Sequence, residues 1–265
     1  MKNSDFGSPR SRRAFTLIEM LVVIAIIAIL AALLLPAITR AKVHAKVVQA
    51  QMEIKEIEQA INSYYSAYSR YPVSSAAMNA ATAVQEDFTY GTINVPNATF
   101  SILNPPNVTT NANNAEVMAI LMDLPNYPNG VPTVNVNHVK NPQLIKFLPA
   151  KLSGYDPTIA GNPPLPGVDN TGVYRDPWGN PYIISMDLNY DDKCWDALYR
   201  SNSVSGLNPP SGYNGLNDST DTTAPYDHFA YNGGVMVWSA GPDRQSDAAT
   251  KANMPPNKDN VLSWK

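Results

Sequence analysis

A chain of 265 residues with 19 Lys and Arg against 22 Asp and Glu has a formal net charge of −3, which excludes the clustered basic surface needed to track nucleic-acid phosphates. Its one cysteine excludes an intrachain disulfide, and its 23 prolines describe a loop-rich fold that packing or a bound ion must hold. The length suffices for a membrane helix and one globular domain of about 190 residues.

Residues 1–14 form a polar, basic leader in which Lys2, Arg10, Arg12 and Arg13 oppose a single Asp5. By the positive-inside rule this end stays cytoplasmic and the rest is exported. From Phe15 to Ile38 only Thr16, Glu19 and Pro36 interrupt the apolar character, so residues 15–38 are long enough to span a bilayer core as a helix. A secretory signal would place its small-residue cleavage site after such a run, whereas Ala14 precedes this one. A carboxylate at Glu19 costs roughly 2.5–3.5 kcal/mol at a bilayer centre and less near an interface, so its presence implies a partner unless it reaches the headgroups.

The order of basic leader, small residue, Phe15, Thr16-Leu17-Ile18-Glu19 and a long apolar helix with one proline resembles the type IV prepilin leader of pilins and pseudopilins. The resemblance implies cleavage between Ala14 and Phe15 by a prepilin peptidase, with methylation of the new amino terminus. Ala14 stands where that family usually has glycine. It also implies that Glu19 pairs with the Phe15 nitrogen of a neighbouring subunit.

The helix is expected to continue to about Tyr71, roughly 85 Å in all, with Pro36 removing one backbone hydrogen bond and loosening it locally. Over residues 39–72 it becomes amphipathic. Val47, Ala50, Ile54, Ile57, Ile61, Tyr64 and Tyr68 recur at spacings of three and four, an apolar stripe that fits packing under a sheet or, over about three heptads, a coiled-coil seam. Lys46, Glu53, Lys55, Glu56 and Glu58 fall on the other faces, and Pro72 ends the helix. The pattern Glu53 to Tyr64 followed by Arg70-Tyr71-Pro72 is similar to the major pseudopilin of type II secretion.

Residues 73–265 read as the exported globular domain, with an insertion over about 73–170 rich in Asn, Pro and Thr. Within it Glu116 to Leu124 predicts a short helix, Leu144 to Leu148 a short buried segment, and Asn126 to Gly130 and Asn162 to Gly167 turns. Asp176-Pro177-Trp178-Gly179-Asn180-Pro181-Tyr182 resembles the string that enters the sheet of major pseudopilins. Its chemistry is structural: an Asx-type turn at Asp176, a fixed dihedral at Pro177, a positive φ at Gly179 and an apolar anchor at Trp178. Tyr182 to Met186 and Val235 to Ser239 predict strands, separated by a polar insertion from Asn189 to His228 that reads as a long surface loop.

The tail from Ser239 to Trp264 resembles the calcium-binding loop of major pseudopilins, and by position that resemblance carries the Ca2+ role to Asp243, Asp247 and Asp259. Oxygen ligands on a flexible loop suit calcium. A loop held by hydrogen bonds alone is the competing reading. The zincin, serine-elbow and phosphate-loop signatures of enzymes are missing, and a Cys194–His228 nucleophile pair is far less expected than a packed thiol. Trp195, Tyr199, Tyr213 and Tyr226 fit core packing better than a glycan or peptide site.

The sequence therefore predicts an α+β, pilin-like fold, a long helix packed on a small antiparallel sheet, and no catalytic role. It is expected to be single-pass in a bacterial inner membrane, with its globular domain in the periplasm. The resemblance implies a pseudopilus subunit that drives protein export by type II secretion. Its partners would be copies of itself, other pseudopilins, the prepilin peptidase, an inner-membrane platform protein and a cytoplasmic ATPase. A major or minor type IV pilus subunit serving adhesion, motility or DNA uptake is the alternative, and a membrane-anchored binding module is another.

Overall fold

The computed structural model describes residues 16–84, 87–91, 112–208, 210–218 and 228–265. Helix α1 runs unbroken from Leu17 to Tyr68 with Pro36 inside it. Just past the proline, the Thr39 hydroxyl donates to the Leu35 carbonyl at 3.0 Å. The helix ends three residues before Tyr71, where Ser69 turns to a φ of 53° and its N–H returns to the Tyr65 carbonyl at 2.7 Å. The chain divides into two units, residues 1–44 and 45–265. In the first, the large apolar side chains from Leu17 to Ile38 are exposed on all sides. Among the described residues α1 is the one helix long and apolar enough to cross a membrane.

The second unit continues through α2 (Ser75–Val84), β1 (Phe88–Tyr90), α3 (Ala115–Leu121), β2 (Gly167–Val168), β3 (Tyr174–Arg175) and β4 (Ile183–Met186). Then come α4 (Asn202–Ser205), β5 (Gly206–Asn208), β6 (Ser211–Gly212), β7 (Asn217–Asp218), β8 (Phe229–Ala230), β9 (Val235–Ser239) and β10 (Val261–Leu262). The principal sheet is antiparallel in the order β1-β4-β9-β10, with Ile183 opposite Trp238 and Met186 opposite Val235 in its central pair. Alternation sends successive side chains to opposite faces. Ile184, Met186, Val235 and Val237 join Ala50, Ile54, Ile57, Ile61 and Tyr64 of α1 in one core. The helical stripe thus packs on the sheet, and the coiled-coil reading is not what this unit uses it for.

The other face of the sheet departs from expectation. Ile183, Met236 and Trp238 lie in a second core with Leu198, Tyr199, Val204, Leu216 and Phe229. Residues 189–228 are therefore no loose surface loop: the described part builds α4 and, with β8, the small sheet β5-β6-β7-β8 that closes over Trp238. A few apolar positions spread through a polar stretch were enough to do this. In the earlier insertion every residue of α3 but Glu116 is buried, and the rings of Phe88 and Tyr90 of β1 meet at 4.7 Å in the first core. The segment expected to be buried at Leu144 to Leu148 is only partly so. Leu148 is buried while Leu144 and Ile145 are exposed, because Asn141 Oδ1 takes the Ile145 N–H and turns the chain outward. The Asn126 to Gly130 turn forms, with Gly130 N–H donating to the Tyr127 carbonyl at 2.8 Å.

Buried carboxylates organise the loops. Asp176 accepts the Trp178 and Asn180 N–H groups, each at 2.8 Å, the Asn180 amide at 2.9 Å and the Ser239 hydroxyl, which fastens the turn to β9. Gly179 holds a φ of +91°, and a Cβ there would meet Pro164 at 2.6 Å. Asp196 accepts Ser185 Oγ at 2.7 Å, Trp238 Nε1 at 2.9 Å and the Leu198 and Tyr199 N–H groups. Asp87 accepts from the Trp195 N–H at 2.9 Å and the Leu188 N–H at 3.2 Å.

Burial, with the nearby Asp187 and Asp191 charges, pushes the Asp87 carboxyl up to about 8. Burial likewise raises Asp176, Asp187 and Asp196. An unfolded aspartate releases its proton near pH 3.9, so between about pH 4 and 8 the folded chain holds the Asp87 proton that the unfolded chain has lost. Stability from this group is full below about pH 4 and falls as pH rises to about 8. Thermal unfolding followed by tryptophan fluorescence is expected to give a higher Tm at pH 5 than at pH 8.5, with Asp87→Asn narrowing the difference. An unchanged pH profile in that variant would assign the effect to other groups.

Candidate assembly site

The start of α1 is a reciprocal cap. The Glu19 carboxylate accepts the Thr16 N–H and the Thr16 hydroxyl, both at 2.8 Å, and the Glu19 N–H donates to Thr16 Oγ1 at 3.3 Å. A Thr followed three residues later by a Glu is a capping box, which satisfies donors that every helix start leaves open. That signal was present in Thr16-Leu17-Ile18-Glu19, and sequence reasoning about Glu19 as a residue needing a second subunit passed over Thr16. Glu19 is thus held within the chain at the opening turn, where a negative charge also favours the helix dipole. Ala14 and Phe15, the two residues of the expected cleavage, lie outside the described residues.

In the second unit the two sequence landmarks meet. Lys46, expected on an outer face of α1, donates Nζ to the Pro177 carbonyl at 2.9 Å. Glu53, also expected outside, is half-buried and accepts the Tyr182 hydroxyl with one oxygen and Gln49 Nε2 with the other at 2.8 Å. Burial raises its carboxyl above the ordinary value, opposed by these two hydrogen bonds. Lys55 reaches both Glu58 at 2.8 Å and the Ser263 carbonyl at 2.6 Å. So three polar residues flanking the apolar stripe fix the register of helix against sheet: Lys46 and Glu53 grip the Asp176 to Tyr182 string, and Lys55 grips the carboxyl-terminal segment. Helical periodicity places them on polar faces and cannot say that their ends return to the domain.

The tail brings together two of its three aspartates. The Asp243 N–H donates to Asp259 Oδ2 at 3.3 Å, and burial together with the Asp243 charge raises the Asp259 carboxyl. Asp247 is engaged otherwise: it accepts the Ala249 N–H at 2.9 Å and the Thr250 hydroxyl, which lower its carboxyl, while its own N–H donates to Asn257 Oδ1 at 2.8 Å. Among the described residues no three His, Cys, Asp or Glu side chains gather as a metal cluster. In the same loop Asn260 is buried and its Oδ1 has no hydrogen-bond partner. Asp243 and Asp259 thus meet in the loop, while Asp247 is engaged in its own turn with Ala249 and Thr250.

Cys194 is fully buried in the second core, where burial pushes its thiol well up, the opposite of an activated nucleophile. Tyr199 packs edge-on against Trp238 and Trp264 at 5.3 and 5.2 Å, and Trp195 is covered by the Arg200 guanidinium at 4.1 Å. Tyr226 lies outside the described residues.

Comparison with known proteins agrees with this architecture. Residues 9–35 match the model of the prokaryotic N-terminal methylation motif. Over 202 residues the chain is 27% identical to the type IV major pilin protein PilA of Myxococcus xanthus (strain DK1622), covering 72% of this chain and 82% of that protein. No solved structure matches. An amino-terminal methylation motif that runs into a capped helix with an apolar first half, followed by an α+β domain, gives this chain the features of a type IV prepilin-like protein.

Proposed function

We propose that the chain is a structural subunit of a pseudopilus, a filament drawn from the inner membrane to push proteins outward by type II secretion. The observation that carries the reading is the methylation motif at residues 9–35 leading into the apolar half of α1. In this reading the basic leader stays cytoplasmic, α1 spans the membrane once and residues 45–265 lie in the periplasm. Cleavage before Phe15 creates a charged amine at the positive end of the α1 dipole, an unfavourable place for a cation. Glu19 offsets that charge. In the filament one Glu19 oxygen keeps its Thr16 bond while the carboxylate also meets the Phe15 amine of the next subunit, a head-to-tail contact that does not close and so propagates as a helix.

The pseudopilus is favoured over the pilus by the two landmarks, Glu53 to Pro72 and Asp176 to Tyr182, which lock together through Glu53–Tyr182 and Lys46–Pro177. A type IV pilus subunit is the second reading, favoured by the pilin identity of the Myxococcus xanthus relative. The implied partners are further copies, related pseudopilins, a prepilin peptidase, the platform protein and its ATPase. Calcium belongs to the proposal at Asp243 and Asp259, where it would neutralise two like charges and tie the tail beneath β9.

Intact mass of the protein from membranes containing prepilin peptidase is expected to show a chain that starts at methylated Phe15; a chain retaining residues 1–14 would remove the proposed partner of Glu19. Under the same conditions Glu19→Ala is expected to be processed but absent from sheared filaments. Deleting the gene is expected to strand secreted enzymes in the periplasm, whereas normal secretion with lost surface motility or DNA uptake would transfer the assignment to the pilus. Millimolar calcium is expected to raise the Tm of the wild type and leave Asp243→Asn unmoved. Equal melting of both in calcium and in chelator would leave the loop held by hydrogen bonds alone.

A further inference from the structure

Beyond the end of α1 lies a cavity of about 220 Å³ whose lining includes Arg70, Ser74, Ser75, Asn79 and Lys140. Its two cations are held together by the fold. The Lys140 carbonyl accepts the Tyr64 hydroxyl at 2.7 Å and Arg70 Nη2 at 3.1 Å, so two residues from α1 and its end grip one peptide unit of the 135–141 loop. Asn135 Oδ1 fixes that loop from the other side, accepting the Lys140 and Asn141 N–H groups at 3.1 and 3.0 Å. From this clamped backbone the Lys140 side chain reaches Ser75 Oγ at 3.3 Å, at the first turn of the ten-residue helix α2.

Among the described residues the ion pairs are Lys55–Glu58, His138–Asp123 and Arg175–Asp169, and neither Arg70 nor Lys140 takes part in one. Burial and the neighbouring Arg70 charge push the Lys140 amine below its ordinary value, with Glu116 attracting it from farther away. Two like charges lining one cavity are unfavourable until an anion joins them. A helix start adds positive potential and N–H groups that have no partner within the helix. Here Ser74 caps only part of that turn, its hydroxyl taking the Ala77 N–H at 3.1 Å and its carbonyl the Met78 N–H at 3.1 Å.

The geometry points to a phosphate site at Arg70, Lys140 and Ser75. A dianionic phosphate matches both cations, whereas one carboxylate matches a single charge, and guanidinium, ammonium and hydroxyl donors suit its several oxygens. The ligand is either free inorganic phosphate or a phosphomonoester carried on a larger molecule, and the same oxygens would be held in each case. The site is separate from Glu19 and from the tail aspartates, and it holds whether the filament is a pseudopilus or a pilus.

The test is a titration of the full chain in detergent with inorganic phosphate or glycerol 3-phosphate at fixed ionic strength, followed by 31P line broadening and by Tm. Saturable binding is expected for at least one probe and none for chloride. Tighter binding of glycerol 3-phosphate would identify the esterified source, and binding of inorganic phosphate alone the free one. Arg70→Gln and Lys140→Gln are each expected to weaken binding by about tenfold or more, since each removes a charge-assisted hydrogen bond. Ser75→Glu keeps both cations and changes an exposed hydroxyl at a position where helices accept acids, so it folds and is expected to abolish binding. Absence of saturation with both probes, or undiminished binding in Ser75→Glu and Lys140→Gln, would overturn the assignment.

Discussion

The rest of the structure depends on one helix serving two surroundings. For its first half α1 is apolar on every side, as a helix in hydrocarbon must be, and from Ala50 onward its apolar positions narrow to a stripe that the sheet covers. Tyr64 and Tyr68 close that stripe, their rings 4.7 Å apart with Phe147 edge-on to Tyr64 at 5.4 Å, and their hydroxyls pass the helix's end on to the 140–143 loop. The apolar stripe supplies the driving force for docking, while Lys46, Glu53 and Lys55 choose which of several similar registers is taken.

A second constraint follows from having no disulfide in a chain full of proline and asparagine. Long connections must then be fixed one by one, and aspartates do this from inside. Asp176 ties its own turn to β9, Asp196 joins β4 to β9 through Ser185 and Trp238, and Asp169 pairs with the buried Arg175 at 2.9 Å while accepting the Thr171 and Val173 N–H groups. Each carboxylate is buried yet fully occupied, the condition under which a polar group in the interior specifies a structure. For Asp176 and Asp196 the cost of burial appears as pKa values raised above the ordinary carboxylate range, which favours mildly acidic over alkaline surroundings.

Much of this was legible in the sequence where a period or a turn rule applied. The stripe from Ala50 to Tyr64, the turn at Asp176 and the central strand pair β4 and β9 all follow from spacing and residue type. Edge strands β1 and β10 were not legible, because two or three residues cannot display alternation. The cover over Trp238 was hidden for another reason: Leu198, Val204, Leu216 and Phe229 are too far apart in sequence to look like an element, and only the tertiary fold makes them neighbours. At the amino terminus an acid in an apolar run points to a partner outside the chain, whereas the structure gives Glu19 a local one in Thr16. In the tail, three aspartates at loop spacing could not reveal that Asp247 is already committed to Thr250 and Ala249.

The shortness of the two outer strands has a consequence of its own. An exposed strand edge is a template on which another chain's backbone can add, and the hazard grows with local concentration. Here β1 offers three residues, with Tyr90 bridged to Ala112, and β10 offers two. Molecules crowded side by side therefore find little ribbon on which to build a cross-β aggregate.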